Sequence, residues 1–373
     1  MTAGLLGKNS CPIGIDIGAH SIKMLQLESN GAGFRAIAAA CKDLPDDLPD
    51  NGEHRIEALA DIIQQMLTTA PFSGRKVVSC LPESAIHYKN LRMPSMPPDE
   101  LERAVMWEAS DRLNMKTDTF HLQFYNAGEV MQGDETRQEL ILMAAPIEVV
   151  NDHIRLLQKC NLRPVAIDAA PSAHARCLTA DQPVSPDAAA SVILDVGYQA
   201  TKVMILRNGR LSFFKMIDIG GRDFDRTVAQ HLNLSLNDAA DVRRRLQTQS
   251  SEDGDSQPLF GSTRRENVER AVYEAIRSAA DEMAREVGLC LRYYSVTFRG
   301  KRPESAWLVG GEAHEPQLVK ILKEKASINI QTANPLRNVE LDRVDLNDVC
   351  GQWSVAAGLS MRSEPAKAVR SAA

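Results

Sequence analysis

Apolar and polar positions fall into the same pattern at two places in this chain. GIDIGAHSIKMLQL over 14–27 reads as strand, tight turn and strand, and ILDVGYQATKVMILRNG over 193–209 repeats it. In both, an apolar strand runs into Asp-x-Gly, a lysine stands seven residues beyond the aspartate, and a second apolar strand follows. Between them, Ile56, Leu59, Ala60, Ile63 and Leu67 recur at helical spacing, and 76–81 has the texture of a short buried strand.

The texture then changes. Pro94, Pro97 and Pro98 interrupt the chain, and Pro98 followed by Asp99 and Glu100 predicts a helix start. Its apolar stripe is Leu101, Ala104, Val105, Ala109 and Leu113. Strands are predicted over 121–126 and 138–145, then a helix over 147–160 that Asn161 closes in a left-handed cap. Helix, strand, strand, helix predicts an inserted α+β subdomain over 96–163, with 1–95 as the first part of domain one and 164–184 as its return. The second domain is predicted over 185–345, where Asn208-Gly209 between two apolar runs is a type I′ hairpin signal. A polar stretch over 247–262 reads as a mobile loop, 346–362 as a closing helix packing on the first domain, and 363–373 as a disordered tail.

Composition narrows the classes. At 373 residues the chain has room for two cores, and 44% hydrophobic with 25% charged residues is ordinary for a globular protein. A formal charge of -6 does not point to nucleic acid as a partner. The seven cysteines are scattered without a CxxC pair, and the eight histidines show no HxxxH, so neither disulfide framework nor zinc site is expected. A cytoplasmic location is the expectation, since no apolar run approaches the ~18 residues of a membrane span and the first residues lack the apolar core of a signal peptide.

The repeated hairpin has a chemical reading. A strand that ends in Asp-x-Gly and turns sharply presents main-chain N–H groups, a concavity suited to phosphate. An aspartate beside phosphate calls for a divalent cation between them, commonly held through water. Two such hairpins, each opening a half of the chain, form an internal repeat and predict two related domains clamping phosphates between them. Gly220-Gly221 and Gly310-Gly311, each after a strand-like run and before a helix, are candidates for the nucleoside end.

With these residues in place the chain resembles the actin-like ATPases, and within them the PilM family of type IV pilus assembly proteins. Beyond the shared motifs, SCLPESAIHYKNLRMPSMPPDELERAVMWEA over 79–109 and GQWSVAAGLSMR over 351–362 carry the narrower resemblance. It implies an α/β, actin-like fold of two duplicated ribonuclease H-like domains, with the inserted subdomain shared with the division protein FtsA. It implies ATP and magnesium in the interdomain cleft, with Asp16 and Asp195 holding the metal through water. Gly18, Ala19, His20, Ser21 and Lys23 correspond to the first phosphate motif, and Gly197, Gln199 and Thr201 to the second. Asp241 and Arg244 resemble the Glu-x-x-Lys pair that contacts the nucleoside, and Gly310, Gly311 and Glu312 the adenosine motif, with Glu312 where a third glycine is usual. Asp168 falls where actin has its water-positioning glutamine; as read from the residues it either orients water or caps the following helix. The implied partner is the N-terminal tail of an inner-membrane, PilN-like protein, with a link to the pilus motor, and self-association is a further expectation. A filament-forming division protein like FtsA and an actin-fold kinase for a small molecule stay open as alternatives. Three features take plain structural readings: His20 as a turn residue, Arg243 to Arg245 as a solvated helix face, and Trp107 as core of the insert's helix.

Overall fold

Strand-forming sequence at the start of the chain folds as a meander, because each apolar run is separated from the next by a turn too short for a crossover. In the computed structural model, which describes residues 10–29, 31, 33–45, 47–179, 190–249, 262–298, 302–326, 328–346 and 350–362, β1 (Ser10–Ile17), β2 (Ser21–Ser29) and β3 (Phe34–Asp43) pair antiparallel. The helix α1 (Gly52–Thr69) then carries the chain to β4 (Lys76–Cys80), which pairs parallel with β1.

A three-stranded antiparallel sheet follows, built from β5 (His87–Pro94), β6 (Phe120–Gln132) and β7 (Glu135–Pro146) in the order β5-β7-β6. The helix α2 (Pro98–Leu113) covers one face through Leu101, Val105 and Ala109, and closes on Asn114 in the left-handed region. The first strand of this sheet lies ahead of residue 96, where alternation is blurred because Leu91 alone of β5 is buried. Trp107, expected in the core of α2, is 73% exposed, since Leu101, Val105 and Ala109 define the buried stripe and Trp107 lies off it.

The helix α3 (Ile147–Lys159) joins the first lobe, where Leu156 and Leu157 pack with Ile56, Ile63, Ile13 and Ile15. Asn161 takes φ 57° after it, as a left-handed cap requires. β8 (Arg163–Asp168) pairs parallel with β4 and leads to α4 (Ala170–Thr179).

The second lobe repeats the plan. β9 (Ser191–Val196), β10 (Thr201–Arg207) and β11 (Arg210–Ile217) form an antiparallel meander, with Asn208 and Gly209 at φ 54° and 71° in the turn. Then come α5 (Gly221–Leu232), α6 (Leu236–Gln249), α7 (Ser262–Thr297), β12 (Ser305–Val309), α8 (Pro316–Lys325), β13 (Asn329–Thr332), β14 (Val339–Glu340) and α9 (Ser354–Ser360). The two large sheets run β14-β3-β2-β1-β4-β8 and β11-β10-β9-β12-β13. In each, the hairpin strand bearing Asp-x-Gly lies mid-sheet, antiparallel to its hairpin partner and parallel to its other neighbour. Of the predicted loop over 247–262, the first three residues continue α6 and Ser262 starts α7, while 250–261 lie outside the described residues, as do 181–189 and the predicted tail. Among the described residues no helix is long and apolar enough to cross a membrane.

Candidate functional site

Each hairpin sets its aspartate directly across from its lysine. The β1–β2 register pairs Asp16 with Lys23, and the β9–β10 register pairs Asp195 with Lys202. The turns close alike: Gly18 N–H donates to the Ser21 carbonyl at 3.0 Å, and Gly197 N–H to the Ala200 carbonyl at 3.1 Å. Ala19 and Gln199 are exposed in the turns. The two turns meet across the cleft, with the His20 and Tyr198 rings 4.8 Å apart and Arg244 Nη2 3.4 Å from His20 Nε2. His20 is therefore a cleft residue as well as a turn residue.

Beneath the turns lies a cluster of charge. Lys202 Nζ donates to Asp195 Oδ2 at 2.6 Å and sits 2.7 Å from Glu83 Oε2, its side chain only 12% exposed. His174, fully buried on α4, brings Nε2 to 3.1 Å from the same Asp195 oxygen, and its Nδ1 lies 2.9 Å from Ser354 Oγ. Burial alone would raise the Asp195 pKa, but Lys202 and His174 outweigh it and hold the carboxyl well below its ordinary range. For Glu83 the balance goes the other way: burial outweighs Lys202, and its pKa is raised. One ammonium thus serves two carboxylates unequally, favouring the charged form more strongly at Asp195 than at Glu83. Asp16 belongs to the same cluster; burial raises its pKa, Lys23 and Lys202 oppose that, and Asp195 adds to it. Cys80 Sγ lies 3.9 Å from its Oδ1, while Lys23 Nζ turns to Ser21 Oγ at 2.7 Å.

The two glycine pairs come together above this cluster. Gly310 holds φ 100°, and a Cβ there would stand 2.4 Å from the Val196 carbonyl oxygen, so only glycine lets this turn lie on β9. Gly221 N–H donates to the Gly197 carbonyl at 3.0 Å, and Glu312 N–H to that of Val196 at 3.2 Å. Both pairs are therefore tied to the second hairpin. The Glu312 side chain lies directly on Gly221, where its Oε1 would be 2.2 Å from an added Cβ. Arg243 holds it there: Nη2 donates to Glu312, and Nη1 donates to Asp225 Oδ1 at 2.6 Å and to the Gly221 carbonyl at 3.2 Å.

This corrects the reading of Arg243 as part of a solvated face. It is 2% exposed, because α6 turns that side toward α5 and the buried carboxylates match its charge. Burial pulls its pKa down, but Glu312, Glu315 and Asp225 outweigh that and raise it. Asp241 and Arg244 stay at the surface, 3.4 Å apart and more than half exposed.

Two further residues have their groups committed. Thr201 Oγ1, fully buried, donates to the Ile219 carbonyl at 2.8 Å rather than facing the cleft. Asp168 Oδ2 lies 2.8 Å from both Arg176 Nη2 and Arg362 Nη1, and Oδ1 accepts from Ala169 N–H at 2.9 Å. It is thus neither an open base nor a cap reaching into the helix. The sequence reading missed Glu83, His174, Tyr198 and Arg243. In the sequence Lys202 stands out only as the repeat's second lysine.

The groups that the fold implies fit unequally. Magnesium takes oxygen ligands and keeps waters, yet Asp195 is held by an ammonium and an imidazole. The donors at Asp195 therefore do not fit the expected magnesium. For ATP, the paired glycine turns are of the anion-binding kind, while the nucleoside side at Gly221 is covered by Glu312.

Comparison with known proteins agrees with this architecture. The family model of the type IV pilus assembly protein PilM matches residues 14–364. A solved PilM-PilN type IV pilus biogenesis complex is similar at 26% identity, covering 94% of this chain and 97% of that one, with a TM-score of 0.76. The ethanolamine utilization protein EutJ from Carboxydothermus hydrogenoformans shares the fold at 11% identity, covering 96% and 91% of the two chains, with a TM-score of 0.57. The cell division protein FtsA of Bacillus subtilis (strain 168) is 21% identical over 149 residues, 38% of this chain and 33% of FtsA. The fold is actin-like.

Proposed function

The chain belongs to the family of the type IV pilus assembly protein PilM, and from that premise we propose that it is an adaptor of pilus assembly that grips the N-terminal tail of a PilN-like inner-membrane protein. The observation that carries this reading is the likeness to a PilM-PilN complex over nearly the full length of both chains. In the proposal the protein works at the cytoplasmic side, is brought to the inner membrane by that partner, and connects it to the motor. The tail binds at the insert, whose sheet β5-β7-β6 and exposed Trp107 offer a strand edge and an aromatic anchor. ATP is the ligand of the two glycine turns, held with slow or no turnover, because Asp168 is paired with two guanidinium groups. That pairing also weighs against a small-molecule kinase, which needs an open base beside the transferred phosphoryl. The FtsA-like alternative rests on a match to a third of that protein.

The test is titration of a labelled synthetic tail peptide from the PilN-like protein of the same genome, with and without ATP. Saturable binding at micromolar affinity or tighter, weakened about tenfold or more by Trp107→Ala, is expected. No binding by folded protein in either condition overturns the adaptor reading.

A further inference from the structure

The internal repeat places two aspartates and two lysines in one cleft, but the lysines behave differently. Lys23 donates to a hydroxyl of its own hairpin. Lys202 instead bridges carboxylates of the two lobes, Asp195 on β9 and Glu83 beyond β4. The place beside Asp195 where a cation would balance a polyphosphate is thus taken by an ammonium within 2.7 Å of both carboxylates. His174 occupies a further direction around the same Asp195 oxygen, and is itself fixed by Ser354. A divalent ion beside Asp195 would have to displace that ammonium or sit against it, like charge against like. The lysine cannot simply swing away, because its side chain is mostly buried and leaving would strand two carboxylates in a low-dielectric site.

We propose that Lys202 is the resident counter-ion of the cleft, in the place of a divalent cation, so that ligand binding there does not depend on magnesium. This rests on the reading of the cleft as an ATP site. It makes Lys202 a binding residue of the second hairpin and Glu83 its anchor on the first lobe. Asp195 becomes the anion that positions the ammonium instead of a metal ligand.

The test uses the full chain and Mn²⁺ as the probe, with free Mn²⁺ read by electron paramagnetic resonance. Wild type is expected to take up no stoichiometric Mn²⁺. Lys202→Met, which removes the charge and keeps the length, is expected to gain about one equivalent that a further Asp195→Asn abolishes, and Lys202→Arg to behave as wild type. Uptake of one equivalent by wild type, lost in Asp195→Asn, overturns the proposal, and so does a folded Lys202→Met that gains none. Should Lys202→Met fail to fold, the wild-type titration decides alone. A second arm titrates fluorescent ATP into wild type with magnesium and with EDTA. Affinities within about twofold are expected, and a loss of about tenfold or more in EDTA overturns the proposal. Absence of ATP binding in both buffers overturns the nucleotide reading, while the Mn²⁺ titration still decides the lysine.

Discussion

Arg243 is a cation buried among three elements, and its energetics follow from what surrounds it. Two of its nitrogens reach Asp225 and Glu312, with side chains 3% and 13% exposed, so removing the guanidinium leaves carboxylates without a counter-charge. Arg243→Met is expected to cost about 3–5 kcal/mol of unfolding free energy, measured by chemical denaturation. Arg244→Met, at a surface pair, is expected to change stability by less than ~1 kcal/mol. A run of three arginines hides this difference, because the sequence shows helical spacing but not which side faces a neighbouring helix. His153 poses a related case. It is buried on α3 with Nε2 3.0 Å from Ser79 Oγ, and burial lowers its pKa from 6.5 to about 4. The folded state therefore keeps the imidazole neutral while the unfolded chain protonates it. Its contribution is complete above pH 6.5 and is lost as pH falls from there toward 4. Between pH 7 and pH 5 wild type is expected to lose about 2 kcal/mol more than His153→Leu, read from urea unfolding at both values. A smaller difference would mean that His153 is reached by solvent.

Elements with strong internal pattern were legible, and those defined by their neighbours were not. The Asp-x-Gly hairpins, the Asn208-Gly209 turn and the Pro98 helix start each carry local chemistry that fixes the backbone. By contrast β3 is a run of small residues and β5 a strand with one buried position, and both exist because β2 and β7 pair with them. The closing helix α9 shows a further dependence, since two glycines let backbones touch. A Cβ on Gly358 would stand 2.0 Å from the Ala173 carbonyl oxygen of α4, and one on Gly14 of β1 would stand 2.1 Å from that of Ala356. Neither neighbour is a flexible side chain that could move aside. Gly358→Ala is therefore expected to destabilise by about 2 kcal/mol or more, with a lower thermal midpoint. An unchanged midpoint would show that α9 can shift without loss.

For the whole molecule, the question is how much work is left for a ligand in the cleft. Lys202 already joins Asp195 of the second lobe to Glu83 of the first, and His20 rests on Tyr198 across the opening. The insert's β6 also packs against β11 of the second lobe, which gives the insert, where the tail is proposed to bind, a mechanical path to the same lobe. A ligand shifts an equilibrium only by its differential affinity for the two states. Where internal ion pairs have drawn the lobes together, ATP finds little closing left to drive. The coupling between ATP and the partner's tail is therefore expected to be weak, below about threefold in either direction, against the roughly 5–150-fold of strongly coupled sites. Glu83→Gln weakens the tie between the lobes while leaving Asp195 paired with Lys202, and should raise that coupling. The measurement is the tail's affinity with and without saturating ATP, and ATP's affinity with and without saturating tail, for both proteins. Reciprocity requires the two factors to be equal within each protein. Strong coupling in wild type that Glu83→Gln leaves unchanged would show that closure is driven from elsewhere than this lysine and its two carboxylates.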